Sequence, residues 1–330
     1  MEQLTRLVTG TKAFESLWKQ FSADRFAHAY LITGNDPEYL KEFLLYAGAM
    51  ALCPKGGCFS CVVCNKVFAG EHVDVHVYPK TKDKILLADI SEILDDCYVK
   101  PFEGDRKIYV LNNCDTLSPL LQNKLLKTLE EPPENTIFFL GATNESTILA
   151  TVKSRCQQVR LDDTSFEEVM KYLTSSGISE ADAEIAACFA DGRPLTAEKY
   201  AIDRSFYKIF DEVTETVKSL SSSKDALKAS AKLSSYGAGT QTVLRMLLLL
   251  YRQALAAYAD EEMLLLKHKK NDILFIKGMY SPEALYRVVD LLTQAKIRLD
   301  GNCNLSAVID GLVLSILEVN IHAEDSWRKV

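Results

Sequence analysis

The first half of this 330-residue chain alternates short apolar runs with longer stretches of helical pattern. The runs that are typical of strands lie at residues 29–33, 74–78, 107–111, 136–141 and 158–161. Helical stretches lie between them, roughly at residues 37–51, 84–98 and 118–131. Because parallel strands can be joined only through a long crossover, this alternation predicts a parallel sheet with helices on both faces.

The pattern changes after about residue 161, where the strand signal fades. Residues 165–204 have the pattern of short helices. Beyond them the chain is helical throughout, with segments near residues 205–220, 224–235, 240–260, 281–299 and 304–321. A chain of this length also favours two or three domains. The sequence therefore predicts an α/β domain followed by helical ones.

The charge and hydropathy of the chain exclude several classes of protein. With 38 Lys and Arg against 45 Asp and Glu, its net charge is -7. This argues against a protein that holds nucleic acid mainly with its own positive charge, although not against contact with DNA within a larger assembly. Residues 1–17 lack the pattern of a signal peptide, and the longest apolar run, residues 246–251, is too short to span a membrane. We expect a cytoplasmic protein without membrane contact.

Four of the nine cysteines fall within twelve residues, at Cys53, Cys58, Cys61 and Cys64. Four thiolates at this spacing can surround one Zn²⁺ tetrahedrally at about 2.3 Å. Because four sulfurs leave no open position on the metal, we predict a structural zinc and do not assign His72 or His76 as ligands. The alternative is four thiols without a metal, but clustered cysteines in a cytoplasmic protein more often bind metal than form disulfides.

The segment after the first predicted strand stands where a phosphate-binding loop would lie. It reads GNDPEYLK, from Gly34 to Lys41, whereas such a loop needs the pattern G-x-x-x-x-G-K-[ST]. Tyr39 stands at the second glycine, Leu40 at the lysine and Lys41 at the hydroxyl residue. Pro37 also removes one amide donor. Either the loop has lost its ability to hold a triphosphate, or it never was a nucleotide loop.

The end of the third predicted strand lacks acidic residues. In an ATPase a carboxylate there holds Mg²⁺ and the next one polarises the attacking water. This chain has Asn112 and Asn113, which carry no charge. Asp115 follows, and its place beyond the strand suggests a turn or cap. A nucleotide site is therefore incomplete in two independent parts.

Ser154, Arg155 and Cys156 form a third motif, just before the fifth predicted strand. Without further context, a single arginine in a loop is most often solvated or paired in a salt bridge. The motif indicates a function only when it is considered together with the other motifs.

Together these residues resemble the bacterial clamp-loader family of DNA polymerase III, within the AAA+ proteins. The resemblance covers about residues 5–200, and more loosely extends to 321. It rests on HAYLITG (28–34), the four-cysteine module, LLKTLEEPPENTIFFLGATN (125–144) and TVKSRCQ (151–157). The loss of both ATP motifs is similar to the delta-prime branch of that family, because the tau/gamma branch keeps its glycine-rich loop and its acidic strand end.

The resemblance implies a fold of three domains. An α/β AAA+ core would cover residues 1–162 and contain the zinc module of residues 53–64. A small helical lid would cover residues 163–204, and an all-α collar that holds a ring of subunits together would cover residues 205–330.

The resemblance also implies a role for the arginine loop, which comprises Ser154, Arg155 and Cys156. In the family, five subunits form a ring with ATP at the subunit boundaries, and the arginine of the S-R-C motif acts in trans on the ATP of a neighbouring tau/gamma subunit. Arg155 matches that arginine, and a guanidinium there stabilises the charge on the phosphate oxygens in the transition state. Ser154 and Cys156 would shape the loop. No ATP is expected on this chain, which would then not be an enzyme by itself.

Other family features follow from the same resemblance. Thr143 and Asn144 fall at the nucleotide-sensing strand end, and Arg193 falls near the sensor position of the lid. The lack of a loop that holds ATP argues against a sensing role here. The expected partners are the tau/gamma and delta subunits and, through the assembled complex, the sliding clamp and primed DNA.

Two other functions remain open at this point. The chain could be an ATPase like the tau/gamma subunit, which the segment GNDPEYLK argues against. It could also be a zinc-dependent nucleic-acid-binding protein, although the cysteine module carries only Lys55 and Lys66 as basic residues.

Overall fold

The structure is a computed structural model that describes residues 2–80 and 84–327, with side chains described up to residue 319 except at position 238. The chain divides into two compact units. The first comprises Met1–Ser176 and Gly192–Thr196, and the second comprises Gly177–Asp191 and Ala197–Val330. The division into core, lid and collar stays a prediction.

The first unit is built from five strands and the helices that flank them. The strands are β1 (Ala29–Thr33), β2 (Val75–Tyr78), β3 (Lys107–Leu111), β4 (Thr136–Ala142) and β5 (Gln157–Arg160). The helices are α1 (Glu2–Thr9), α2 (Lys12–Ser22), α3 (Pro37–Leu52), α4 (Val62–Ala69), α5 (Leu87–Asp96), α6 (Pro119–Glu130), α7 (Ala150–Lys153) and α8 (Phe166–Ser175).

The five strands form one parallel sheet in the order β2-β3-β4-β1-β5. The predicted α/β fold with a parallel sheet is therefore confirmed. β1 leads through α3 to β2 on one side of the sheet, whereas β4 leads past β1 to β5 on the other. The order of the strands thus reverses around β1, and open parallel sheets bind ligands beyond the carboxyl ends of the strands at such a point. The segment after β1 lies there.

The second unit is helical in its described residues. Its helices are α9 (Glu180–Ala190), α10 (Pro194–Ile202), which begins in the first unit, α11 (Arg204–Lys218), α12 (Ser223–Ser235), α13 (Thr240–Ala259), α14 (Lys270–Met279), α15 (Pro282–Asp300) and α16 (Leu305–Trp327). Met246, Leu250 and Tyr251 of α13 are fully buried in the core of this unit. Within the described residues, no helix is long and apolar enough to cross a membrane.

A buried carboxylate fixes the loop that precedes β3. Asp74 is almost fully buried, and its oxygens accept hydrogen bonds from the backbone N–H groups of Phe102, Glu103 and Gly104 at 2.6, 2.7 and 2.8 Å. Burial by itself would raise the pKa of Asp74, but the three N–H groups outweigh it and hold the pKa below its usual value. Because the charged form is favoured in the folded state, the carboxylate stabilises the fold at neutral pH.

We expect Asp74→Asn to lower the free energy of unfolding by about 1.5–3 kcal/mol at pH 7, because charge-assisted hydrogen bonds are lost. The native pKa of Asp74 is depressed, so its contribution is present above the unfolded value of about 3.9 and is lost as the pH falls through the folded value. The difference in the free energy of unfolding between the wild type and Asp74→Asn, measured by urea unfolding, should therefore shrink below about pH 4. The exposed Asp105→Asn is the control, and an equal loss of stability in both variants would contradict this role.

Candidate functional site

The four clustered cysteines lie at the end of α3, in the loop that follows it and at the start of α4. Cys53 follows the last residue of α3, Cys61 precedes the first residue of α4, and Cys64 lies within α4. Gly56 and Gly57 turn the chain between them with φ of 68° and 95°, values that favour glycine. The sequence thus brings the four thiols together by two helix ends and one tight turn.

The geometry of the four sulfurs fits one metal ion. All four Sγ atoms lie within 4.8 Å of one another. The Sγ–Sγ distances are 3.6 Å for Cys53–Cys58, 3.9 Å for Cys53–Cys61 and 3.6 Å for Cys61–Cys64. A tetrahedron with metal–sulfur bonds of about 2.3 Å has edges of about 3.8 Å. The cluster could therefore hold a metal ion without rearrangement.

The environment of the thiols differs across the cluster. The backbone N–H of Ser60 is the main cause that lowers the pKa of Cys58 to about 6, whereas burial is the main cause that raises the pKa of Cys64.

The indole Nε1 of Trp18, on α2, donates a hydrogen bond to the carbonyl of Gly56 at 3.0 Å. The turn of the module is thereby tied to the rest of the first unit.

The two histidines near the module make other contacts. His72 is buried, and its Nδ1 accepts a hydrogen bond from the backbone N–H of Asp74 at 3.2 Å. His76 lies on β2, with its ring stacked on Tyr109. Among the described residues, neither joins the cluster of four sulfurs.

The segment after β1 is organised by Asp36, which is only 4% exposed. Its Oδ1 accepts hydrogen bonds from the backbone N–H groups of Glu38 and Tyr39, in the first turn of α3, at 3.2 and 3.3 Å. Its Oδ2 accepts from the backbone N–H groups of Leu195 and Thr196, in the first turn of α10, at 2.9 and 3.1 Å. One carboxylate therefore caps the N-termini of two helices.

The residues that depart from the phosphate-loop pattern fill this segment. Tyr39 is buried, and its hydroxyl donates a hydrogen bond to the carbonyl of Leu7 at 3.2 Å. Burial raises the pKa of Tyr39. Leu40 is also buried, whereas Lys41 is exposed and Pro37 begins α3. Gly34 is needed for space, because a Cβ there would lie 3.1 Å from the Cβ of Leu161 beyond β5.

The carboxyl ends of β3 and β4 are joined by Asp115. Its Oδ2 accepts hydrogen bonds from the hydroxyl of Thr143 at 2.7 Å and from the backbone N–H of Asn144 at 3.2 Å. Asn112 is buried just beyond β3, and Asn113 adopts a left-handed conformation with φ of 57°. Asp115 thus acts in a turn, as its sequence position suggests.

The arginine loop is attached to α6 by a buried glutamine. The side chain of Gln122 donates to the carbonyls of Leu117 and Thr147 at 3.1 and 3.0 Å and accepts from the backbone N–H of Leu149 at 2.8 Å. Leu149 immediately precedes α7, so Gln122 fixes the start of the short helix that Arg155 follows. Neither Gln122 nor Asp36 was predicted as a functional residue from the sequence.

Arg155 lies just after α7, with 30% of its side chain exposed. Its Nη1 donates hydrogen bonds to the carbonyl of Thr151 and to Oγ of Ser154 at 2.8 and 3.3 Å, and its Nη2 donates to the carboxylate of Glu130. Cys156 is buried, and burial raises the pKa of its thiol to about 12. Cys156 therefore packs in the interior, as do the buried Cys97 and Cys114, whereas Cys303 is exposed.

Comparison with known proteins gives consistent matches. A family model described as DNA polymerase III, delta subunit, matches residues 9–165. The DNA polymerase III subunit delta' of Bacillus subtilis is 24% identical, over 93% of this chain and 96% of that protein. The DNA polymerase III subunit gamma of Buchnera aphidicola subsp. Acyrthosiphon pisum is 31% identical, over 48% of this chain and 45% of that protein. This chain therefore spans less than half the length of that gamma subunit.

A solved structure shows that the chain is similar to a clamp-loader protein in its fold as well. The crystal structure of a DNA polymerase III gamma subunit-related protein from Thermotoga maritima superimposes with a TM-score of 0.51, over 93% of this chain and 99% of that protein. At 17% sequence identity this match shows the fold alone. The sequence matches show that the chain is similar to clamp-loader subunits of DNA polymerase III, among them delta', gamma and tau subunits.

Proposed function

We propose that this chain is a delta'-like clamp-loader subunit that binds no ATP and donates Arg155 to the ATP of a neighbouring tau/gamma subunit. In this role it helps to load the sliding clamp onto primed DNA. The observation that carries the proposal is the position of Asp36, whose carboxylate takes the N–H groups at the start of α3. A chain that fills its own anion-binding position can contribute to ATP hydrolysis only at another subunit's site.

Electrostatics argue against a nucleotide after β1. Phosphate binds at a helix N-terminus because the N–H groups there are unpaired and the helix dipole favours a negative charge. Asp36 supplies that negative charge from within the chain and would repel a phosphate. The buried ring of Tyr39 and the buried Leu40 stand where a loop of this type needs glycine and lysine. The rival function, an ATPase like the gamma relative, lacks a binding site for its substrate.

The placement of Arg155 supports a role in trans. Its side chain is partly exposed just after a short helix, α7, whose start is held by Gln122. An arginine that is presented at a subunit boundary can reach phosphate oxygens that its own subunit does not bind. In related phosphoryl transfers such an arginine raises the rate about 10³–10⁵-fold.

The cysteine cluster supports a structural zinc. Four thiolates at tetrahedral distances match Zn²⁺, and when zinc is bound it would join the ends of α3 and α4 without taking part in the reaction. Cys53, Cys58, Cys61 and Cys64 would hold it. The second unit would serve for assembly with tau/gamma and delta subunits, and the net charge of -7 favours contact with DNA mainly through the assembled ring.

We expect the isolated chain to bind no Mg-ATP in isothermal titration calorimetry at up to about 1 mM ligand, since Asp36 repels the phosphates and no lysine replaces the missing one. A tau/gamma subunit measured in the same buffer is the positive control. Micromolar affinity of this chain would contradict the proposed absence of a nucleotide site.

We expect Arg155→Ala to leave assembly with tau/gamma and delta subunits intact and to slow ATP hydrolysis at the adjacent site by about 10³-fold or more, because transition-state charge is no longer stabilised. DNA-stimulated single-turnover hydrolysis by the reconstituted complex measures this loss. The matched control is Arg160→Ala, which removes an exposed arginine at the end of β5. Unchanged hydrolysis in Arg155→Ala would rule out the role in trans.

We expect elemental analysis of the purified chain to give about one zinc per molecule. Cys61→Ser should lose the metal and lower the thermal unfolding midpoint, because the module no longer closes. Cys303→Ser removes an exposed thiol outside the cluster and should retain both metal and stability. Protein that is free of zinc yet as stable as the metal-containing form would contradict a structural zinc.

A further inference from the structure

The guanidinium of Arg155 is engaged by its own chain. Nη1 donates to the carbonyl of Thr151 and to Oγ of Ser154, and Nη2 donates to Glu130. Nε is buried and has no partner among the described residues. Both Nη atoms therefore already have acceptors within the chain, whereas a bidentate contact with an incoming phosphate needs two available N–H donors.

Glu130 occupies an unfavourable place on its helix. It is the last residue of α6, where the backbone carbonyls carry a partial negative charge that destabilises an acidic side chain. Glu131 follows it and adds a second acid. A cation near the helix end offsets this repulsion, and Arg155 provides one, so the ion pair stabilises both the end of α6 and the resting position of the arginine.

A phosphate and Glu130 compete for the same edge of the guanidinium. Both are anions, and the carboxylate would repel a phosphate that approached while the pair was intact. The ion pair is also partly exposed, with 30% of the Arg155 side chain and 48% of the Glu130 side chain accessible. Exposed pairs are weak enough to exchange partners readily.

We propose that Glu130 is a positioning residue that holds Arg155 in the resting subunit and releases it when the phosphate of the neighbouring subunit takes its place. This inference rests on the proposed role of Arg155 in trans and adds the element that regulates its release. The phosphate contact must offset the free energy that is lost when the ion pair breaks. The ion pair therefore lowers the rate of ATP hydrolysis at low ATP concentration, and it keeps the arginine from binding other anions.

The first measurement uses the isolated full-length chain and does not depend on the proposed function. In ¹⁵N NMR spectra, the side-chain N–H signals of Arg155 are assigned by their loss in Arg155→Ala. In Glu130→Gln they should exchange with water several-fold faster than in the wild type, because the charge-assisted bond is weakened. Glu131→Gln makes the same change of charge one residue away and should leave the exchange unaltered. Equal exchange in all three proteins would overturn the proposal.

The second measurement uses the complex reconstituted with tau/gamma and delta subunits. Glu130→Gln should raise kcat/KM for ATP at the adjacent site by about two- to fivefold, which corresponds to the strength of an exposed ion pair. The gain should shrink with added salt, since salt screens the pair in the wild type. Glu131→Gln should not change kcat/KM. The double variant Glu130→Gln/Arg155→Ala should match Arg155→Ala, because Glu130 acts only through the arginine.

The outcomes separate this inference from the proposed function. If Arg155→Ala does not reduce hydrolysis, the role in trans fails and the release mechanism fails with it, whatever the NMR result. If Arg155→Ala does reduce hydrolysis but Glu130→Gln lowers kcat/KM or leaves it unchanged, only the release mechanism is overturned, and a lowered value would mean that Glu130 orients the arginine for the reaction.

Discussion

The carboxylate of Asp36 determines what the carboxyl edge of the sheet can do. It lies at the end of β1, where the order of the strands reverses and a parallel sheet would ordinarily bind its ligand. By accepting N–H groups from the first turns of α3 and α10, it satisfies donors that would otherwise attract an anion. The N–H groups at this edge of the sheet are thus paired within the chain itself. In the proposed function, ATP hydrolysis therefore depends on the arginine loop and not on this edge.

The arginine loop depends on α6 in two ways. Gln122 fixes the start of α7 from the side of α6, and Glu130 holds Arg155 at the end of α6. The two contacts differ in strength because they differ in burial. Gln122 is buried and forms three hydrogen bonds, whose loss would leave polar groups unpaired. The ion pair is partly open to water, where charges interact weakly. The start of α7 is thus held more firmly than the guanidinium of Arg155.

Local sequence predicts the features whose partners are near in the chain. β1 and β3 have the predicted bounds because their residues form apolar runs in the centre of the sheet, and the cysteine cluster was visible from spacing alone. Asp36, Gln122 and Glu130 were missed as functional residues for the opposite reason. Asp36 meets α10 about 160 residues away, and Glu130 meets Arg155 across 25 residues. A pattern confined to one helix or strand carries no signal for such contacts. The helices α1, α2, α4 and α7 were likewise not predicted, and α14 lies outside the segments predicted for the helical region.

These interactions differ in burial in the way that their proposed roles require. Contacts that must persist in every state lie in the interior, as the bonds of Asp36 do, and salt cannot weaken them appreciably. Metal–sulfur bonds would hold the cysteine cluster in place, so it would likewise persist in every state. In the proposed mechanism, the contact that must break is the ion pair of Arg155 and Glu130, which lies at the surface, where its loss costs least. A weak ion pair at Arg155 is therefore compatible with the proposed role, because a phosphate that replaced Glu130 could form a bidentate contact and bind more tightly than the carboxylate.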